Sequence, residues 1–183
     1  VNLDAPPPGD PNTNTGLMRA DGATLHITGT ELDNNGGMIR ADANGIVEIV
    51  ASVIEGGVLA TTGNGEIHFP SSPPTLHAVR NTGLIRVENS VDPFLIDSFE
   101  NDGTFRLESS NASTQLTLLT PVVTIDGDGV IETSENSGNA IVADTLTEQL
   151  IHGAEHTIQG TLTIRCNLVN HGALLANSPL GCL

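Results

Sequence analysis

A short pattern recurs along the chain: a turn that ends in glycine, followed by about five residues of alternating character. The eight glycines that begin it are Gly16, Gly37, Gly57, Gly83, Gly103, Gly129, Gly160 and Gly172. Successive glycines are separated by 12 to 31 residues. A constant motif at unequal spacing indicates repeated structural turns that carry loops of different length.

The residues after each glycine alternate in character. The second residue is large and apolar in all eight segments: Met18, Ile39, Leu59, Ile85, Phe105, Ile131, Leu162 and Leu174. The fourth residue is small or apolar, and the third and fifth are mostly polar. This period of two predicts β-strands whose even positions point inward. We therefore expect the eight segments to lie directly over one another and to share one apolar interior.

Each repeat also contains a second strand, such as the one predicted at 23–28, and in places a third. About three short strands per 20 residues predict an all-β fold, a right-handed parallel β-helix (β-solenoid) of about seven turns. No stretch shows the 3.6-residue period of a helix. We expect an extended N-terminal arm over residues 1–15, which contains Pro6, Pro7 and Pro8, and a single β-solenoid domain over residues 16–183.

Composition excludes several functions. The chain has 22 acidic residues against 6 basic ones, all arginine, and a formal charge of −16. Nucleic-acid binding is excluded because it needs clustered basic side chains. No run of 18 apolar residues is present, so we expect no insertion into a membrane. Tyrosine and tryptophan are absent, which leaves little material for stacking on sugars or bases.

Four arginines share the third position after glycine, and four acids lie two residues further on. Stacked turns place them in neighbouring columns of opposite sign on the outer face, so we interpret them as a solvated salt-bridge ladder. The arginines are Arg19, Arg40, Arg86 and Arg106, and the acids are Asp21, Asp42, Glu88 and Glu108.

Four segments carry a resemblance to a known group of proteins: NTGLIRVENS (81–90), NDGTFRLESS (101–110), TIQGTLTI (157–164) and LVNHGALLAN (168–177). They resemble the β-solenoid repeats of bacterial extracellular proteins of the haemagglutinin-like and autotransporter-passenger-like kind. The resemblance covers most of residues 15–177. It implies a secreted bacterial protein in an extracellular or cell-surface setting, in a group that serves as stalks, adhesins and fibres. It carries over no catalytic residue and no cofactor.

The second strands place His26, Glu48 and His68 at the same outward position in consecutive turns. Two imidazoles and a carboxylate are ligands that Zn²⁺ accepts, but ligands must converge to about 2 Å from one ion, whereas stacked turns hold them about 5 Å apart. We therefore predict hydrogen bonding between exposed side chains and assign no metal site. Asp126-Gly-Asp128 offers carboxylates for Ca²⁺ without the repeat of a calcium-binding β-roll.

The only cysteines are Cys166 and Cys182, about one turn apart, and in a secreted setting we expect a disulfide between them. His152, His156 and His171 are interpreted as loop or turn residues.

The ends of the repeat array suggest self-assembly, because a solenoid exposes strand edges and core at both ends. We expect the protein to be a structural, non-enzymatic subunit of a head-to-tail homopolymer, with Val1, Leu3, Leu174 and Leu180 at the contact. The alternative is an adhesin or stalk that binds protein or surface glycans through inserted loops. The candidate loops are 70–74, 109–114 and 135–140. A polysaccharide-active β-helix enzyme is the third reading.

Overall fold

The chain winds into a β-solenoid of about seven turns, as the glycine-led pattern predicts. The structure is a computed structural model and describes residues 1–4 and 11–177. Within these residues it contains 23 short strands and no helix, and every strand pair is parallel.

The described strands stack into three ladders. The first ladder contains β2 (Asn12–Thr13), β5 (Glu31–Asp33), β8 (Val53–Glu55), β11 (Thr75–Asn81), β13 (Phe94–Asn101), β15 (Thr114–Leu118), β18 (Asn139–Ala143) and β21 (Thr163–Arg165). The second contains β3 (Leu17–Asp21), β6 (Met38–Asp42), β9 (Val58–Thr61), the C-terminal parts of β11 and β13, β16 (Val122–Asp126), β19 (Gln149–His152) and β22 (Asn167–Asn170). The third contains β1 (Asn2–Asp4), β4 (Thr24–Thr28), β7 (Ile46–Val50), β10 (Glu66–Phe69), β12 (Leu84–Val87), β14 (Thr104–Leu107), β17 (Val130–Thr133), β20 (Thr157–Gln159) and β23 (Ala173–Leu175).

Two long strands, β11 and β13, each belong to both the first and the second ladder. Each bends at a residue with positive φ: Ala78 at 51° and Asp97 at 60°. The register between the two strands shifts between His77 and Val79. These bends turn the chain from one ladder to the next without a glycine-led turn.

The core lies between the ladders and consists of inward columns in register. The longest column, on the third ladder, runs through Leu25, Val47, Ile67, Ile85, Phe105, Ile131, Ile158 and Leu174. Its first seven members are buried. Complete burial of such side chains contributes about 1.5–3 kcal/mol each, which makes these columns the main source of stability.

The prediction that all eight glycine-led segments form one column is wrong. Met18, Ile39 and Leu59 pair with one another on the second ladder, whereas Ile85 pairs with Ile67 on the third. Because β11 crosses two ladders without a glycine-led turn, the turn at 81–83 falls one corner later than the turn at 57. The inward alternation itself holds in both sets, but glycine spacing alone does not distinguish one corner from the next.

The predicted arm over residues 1–15 already contributes strands to the solenoid. Leu3 pairs with Ile27 and packs against the core, and Asn12 pairs with Leu32. The order Val1-Asn2-Leu3-Asp4 supplies one inward apolar residue between two polar ones, which is a strand pattern. A domain boundary at residue 16 therefore does not separate arm from solenoid. The three prolines at 6–8 lie outside the described residues.

Candidate functional site

The C-terminal end of the solenoid is apolar, and no described residue covers it. Leu174 closes the inward column of the third ladder and is 41% exposed, whereas Ile158 directly beneath it is 1% exposed. A cavity of about 190 Å³ opens at this end, and its apolar side chains include Ile158, Leu162, Ile164, Leu174 and Leu175. Within the described residues, no strand pairs with the outer edges of β21, β22 and β23. The end thus presents both core side chains and free backbone groups.

The N-terminal end presents the matching strands. The edges of β1, β2 and β3 also have no outer partner in the described part of the chain, one edge on each ladder. Leu3 and Met18 pack against the core there, while Val1 is 91% exposed and Leu17 is 52% exposed. Within residues 1–4 and 11–177, each ladder therefore ends at both ends in a strand whose outer edge has no partner.

The two ends differ in charge. No aspartate or glutamate follows Glu155, and the last turn carries Arg165 and His171. The first turns carry four described acids and one arginine: Asp4, Asp21, Glu31, Asp33 and Arg19. The N-terminal end is acidic, and the C-terminal end lacks acidic side chains.

A chain of hydrogen-bonded side chains runs through the corner beneath the C-terminal end. The Asn81 amide donates to Asn101 (2.7 Å), and the Asn101 amide lies 2.9 Å from Nε2 of His156. Nδ1 of His156 lies 2.9 Å from Nε2 of His152, whose Nδ1 lies 2.6 Å from the amide oxygen of Asn170. All but Asn170 are fully buried. This series of hydrogen-bonded side chains connects the interior with the exposed last turn.

The environment of His156 disfavours its charged form. Burial, with a smaller contribution from the neighbouring His152, lowers the pKa of His156 to about 4, although the carboxylate of Asp126 acts in the opposite direction. His156 is therefore neutral at physiological pH.

The sequence interprets His152 and His156 as loop or turn residues; this is wrong for His152, whereas His156 does lie in the connection between β19 and β20. His152 ends β19, and both side chains are fully buried in the corner where asparagines stand in earlier turns. In those turns Asn81 accepts from the backbone of Gly83 (3.0 Å), the usual role of asparagine in such a turn. The Asn-x-Gly signals at 81, 101 and 170 lie at this corner, and extending them to 152 could have located the site.

The column of His26, Glu48 and His68 exists, and the three residues lie in register on β4, β7 and β10. His26 Nδ1 lies 2.7 Å from Glu48, but His68 Nε2 lies 2.8 Å from Glu88 instead. The three side chains therefore do not converge. Among the described residues, no three side chains of metal-ligand type are grouped to hold an ion.

The arginine ladder forms as two blocks. On the second ladder, Arg19 and Arg40 both bind Asp42, at 2.6 Å and 2.8 Å, and Arg19 also binds Asp21. The third-ladder block consists of Arg86 with Glu66, Glu88 and Glu108, and Arg106 with Glu108 and Glu132. Arginines of adjacent turns lie side by side at paired positions of neighbouring strands. The acids that they share offset the repulsion between these like charges.

A second cavity, of about 450 Å³, lies beside Asp126 and is lined by acidic residues of three turns. Arg80 binds two of these acids, Asp102 at 2.6 Å and Glu100 at 3.5 Å. The acids that line it are Glu100, Asp102, Asp126, Asp128 and Glu155.

Two of the three candidate loops are joined to each other and to the preceding turn. The amide oxygen of Asn89 accepts from the backbone of Ser110, Asn111 and Ala112 at 2.8–3.1 Å. The Asn136 amide donates to the backbone oxygen of Ser110 at 2.6 Å. This corner is a fixed polar surface.

Two predictions involve the C-terminal residues: the disulfide between Cys166 and Cys182, and the place of Leu180 in the head-to-tail contact. Cys166 is half-buried and packs against the core, and burial raises the pKa of its thiol. Cys182 and Leu180 lie outside the described residues, so the disulfide stays a prediction.

No protein-family model, curated protein or solved structure matches this chain. The described residues contain no helix that is long and apolar enough to cross a membrane.

Proposed function

We propose that the protein is a structural subunit of an extracellular filament in which copies stack head to tail. The observation that carries the proposal is the abrupt exposure of Leu174 at the end of a column that is otherwise buried. An uncovered apolar column beside unpaired strand edges is a surface that further strands complete. In this role the protein needs no catalytic residue.

The three ladders make a second copy the natural occupant. Stacking the N-terminal end of one copy on the C-terminal end of another places β1 on β23 in the third ladder and brings β2 and β3 over β21 and β22 in the other two. All strands then run parallel through the junction, as they do within the molecule. Such a contact joins two different surfaces and does not close, so it generates filaments.

Charge favours this polarity. The acidic N-terminal end, with Asp4, Asp21 and Asp33, meets an end that has Arg165 and no acid. Two N-terminal ends would bring like charges together, which is unfavourable at short range.

Sedimentation velocity tests the proposal. We expect the wild-type chain to form species far above 19.0 kDa that grow with concentration. Leu174→Lys places a charge in the contact and should leave monomers, whereas Leu146→Lys, at a 78%-exposed position outside the two ends, should assemble like the wild type. A wild-type chain that remains monomeric would contradict the proposal, and so would equal effects of the two variants.

The second candidate is an adhesin that binds protein or surface glycans through loops. The fixed polar corner around Asn89 favours it, because a rigid surface loses little conformational entropy on binding. A glycan array probed with monomeric Leu174→Lys protein tests it. Binding that Asn89→Ala abolishes would support this function, and no binding would contradict it.

A further inference from the structure

We infer that the buried histidine pair His152 and His156 makes the C-terminal end of the solenoid acid-sensitive, so that protonation of the pair loosens the last turn and removes the docking surface. The acid response of the last turn stands on the geometry of the pair. Its consequence for assembly rests on the proposed filament function.

The hydrogen bonds that connect the side chains of Asn81, Asn101, His156, His152 and Asn170 all run in one direction. The Asn101 amide donates to Nε2 of His156, which is then an acceptor, so Nδ1 of His156 carries the proton and donates to His152. Nε2 of His152 accepts, and its Nδ1 donates to the oxygen of Asn170. A neutral imidazole has one donor and one acceptor, so the chain is complete with both histidines neutral.

An added proton has no place in this arrangement. On Nε2 of His156 it would face the donating amide of Asn101, and on Nε2 of His152 it would face the N–H of His156. Both contacts are 2.9 Å long and both rings are fully buried. Two donors facing each other without solvent break the hydrogen bond and leave a buried charge unpaired.

The groups around the pair do not supply a matching charge within the buried chain. Asp126 on β16 is exposed and favours the charged form of His156, but the effect of burial is larger. Glu155, on the same corner, is exposed to solvent. His171, from the next turn, donates its backbone N–H to the backbone oxygen of His152 (2.9 Å).

On the C-terminal side, the hydrogen-bond partner of His152 lies in the last described strand of the second ladder. Asn170 ends β22 and donates its amide to the backbone oxygen of Gly172, just before β23. Disruption of the histidine pair therefore releases the turn that joins two of the three docking strands.

The histidines outside the C-terminal turns have different neighbours. Three of them lie beside carboxylates: His26 beside Glu48, His68 beside Glu88 and His77 beside Asp97 (2.7, 2.8 and 3.1 Å). A proton gained there forms an ion pair. Mild acid should therefore loosen the C-terminal turn selectively.

The pH range over which the turn loosens follows from the pKa of His156 in the folded and unfolded chains. The pKa of His156 is about 4 in the fold, against 6.5 for an unperturbed histidine. The unfolded turn binds a proton below pH 6.5 that the folded turn excludes, so stability of the turn falls as the pH falls from 6.5 to about 4. Within that range the opening equilibrium should shift about tenfold per pH unit.

Hydrogen exchange read by mass spectrometry tests the inference on the whole chain. We expect the opening equilibrium of residues 163–175, corrected for the intrinsic pH dependence of exchange, to rise about tenfold per unit between pH 6 and pH 4.5. Segments 24–50 should stay unchanged. His156→Gln, which can accept and donate without binding a proton, should flatten the response. His171→Gln, at an exposed histidine of the same end, should retain it.

The wild-type chain alone keeps the inference testable if His156→Gln does not fold. Exchange of residues 163–175 that is independent of pH would overturn it, and so would equal loosening of the first and last turns. The assembly arm is read separately by sedimentation: filaments that form at pH 7.5 should dissociate at pH 4.5 and re-form on neutralisation. If no filaments form at any pH, the proposed function fails while the exchange result still decides the acid response. Filaments that persist at pH 4.5 while residues 163–175 open would contradict the link between the turn and docking.

Discussion

The rings of Phe99 and Phe105 meet edge to face, with centroids 5.4 Å apart and planes inclined by 75°. Phe105 also contacts Phe69 edge to face, with centroids 6.3 Å apart. All three rings are completely buried. They join the second and third ladders in the middle turns and form the largest block of the core.

Phe105→Ala should therefore lower the free energy of unfolding by about 3–5 kcal/mol, because it removes a ring that contacts two others and leaves a cavity. Far-UV circular dichroism during urea unfolding measures this, since the chain has no tryptophan or tyrosine to report by fluorescence. Leu146→Ala, at an exposed position, is the control and should change stability by less than about 0.5 kcal/mol. Equal effects of the two variants would contradict the assigned core.

Gly103→Ala should destabilise the solenoid by about 1–3 kcal/mol or prevent folding. A β-carbon on Gly103 would overlap the backbone oxygen of Gly83 one turn below, which cannot move without disturbing its own ladder. Gly16→Ala is the matched control because no atom lies within 4 Å of its added carbon. Thermal unfolding of both variants measures the difference, and a stable Gly103→Ala protein would show that the corners do not stack this closely.

Asp42→Asn should destabilise the fold more than Asp21→Asn. The Asp42 carboxylate accepts from Thr62, Arg19 and Arg40, whereas in the described part of the chain Asp21 binds only Arg19. The hydrogen bond from Thr62 has the largest effect, and together with the two arginines it lowers the pKa of Asp42 below its ordinary 3.8.

The contribution of Asp42 should depend on pH in a defined sense. Because the folded pKa is depressed, the stabilisation is complete above pH 3.8 and is lost as the pH falls through the folded value. The stability gap between wild type and Asp42→Asn should hold constant from pH 5 to pH 8 and narrow only below pH 4. If the stability difference between wild type and Asp42→Asn already narrowed at pH 6, its pH dependence would come from a group other than Asp42.

Cys166 and Cys182 should be joined when the protein is purified without reductant. Closing a loop of about 15 residues contributes about 3 kcal/mol in the loop-entropy description, and the effect should fall on the last turn. Peptide mapping after alkylation, with and without reduction, measures the bond. Two thiols that alkylate fully without reduction would rule it out.

Strand alternation made the fold predictable from the sequence. Positions such as Ile85, Phe105 and Ile131 read as inward from period two alone, and all three are completely buried. The stacking phase was not predictable, because β11 and β13 turn corners at Ala78 and Asp97, residues that do not mark a corner as glycine does.

The histidine chain was hidden from the sequence for a related reason. His156 bonds to Asn101, 55 residues away, and this pairing depends on which corner each turn occupies. Histidine is intermediate among residue types in how often it is buried, so its type alone does not reveal burial. The outward column of His26, Glu48 and His68 was found because it depends only on strand register.

Electron cryo-microscopy of the assembled protein tests the central claim most directly. The account predicts unbranched filaments whose subunits repeat every 40–45 Å or so, the height of the nine described strands of the third ladder at about 4.8 Å each, with that strand spacing continuous along the third ladder through every junction. Closed dimers, filaments with a break in the strand spacing of the third ladder between subunits, or separate 19.0 kDa particles would contradict it.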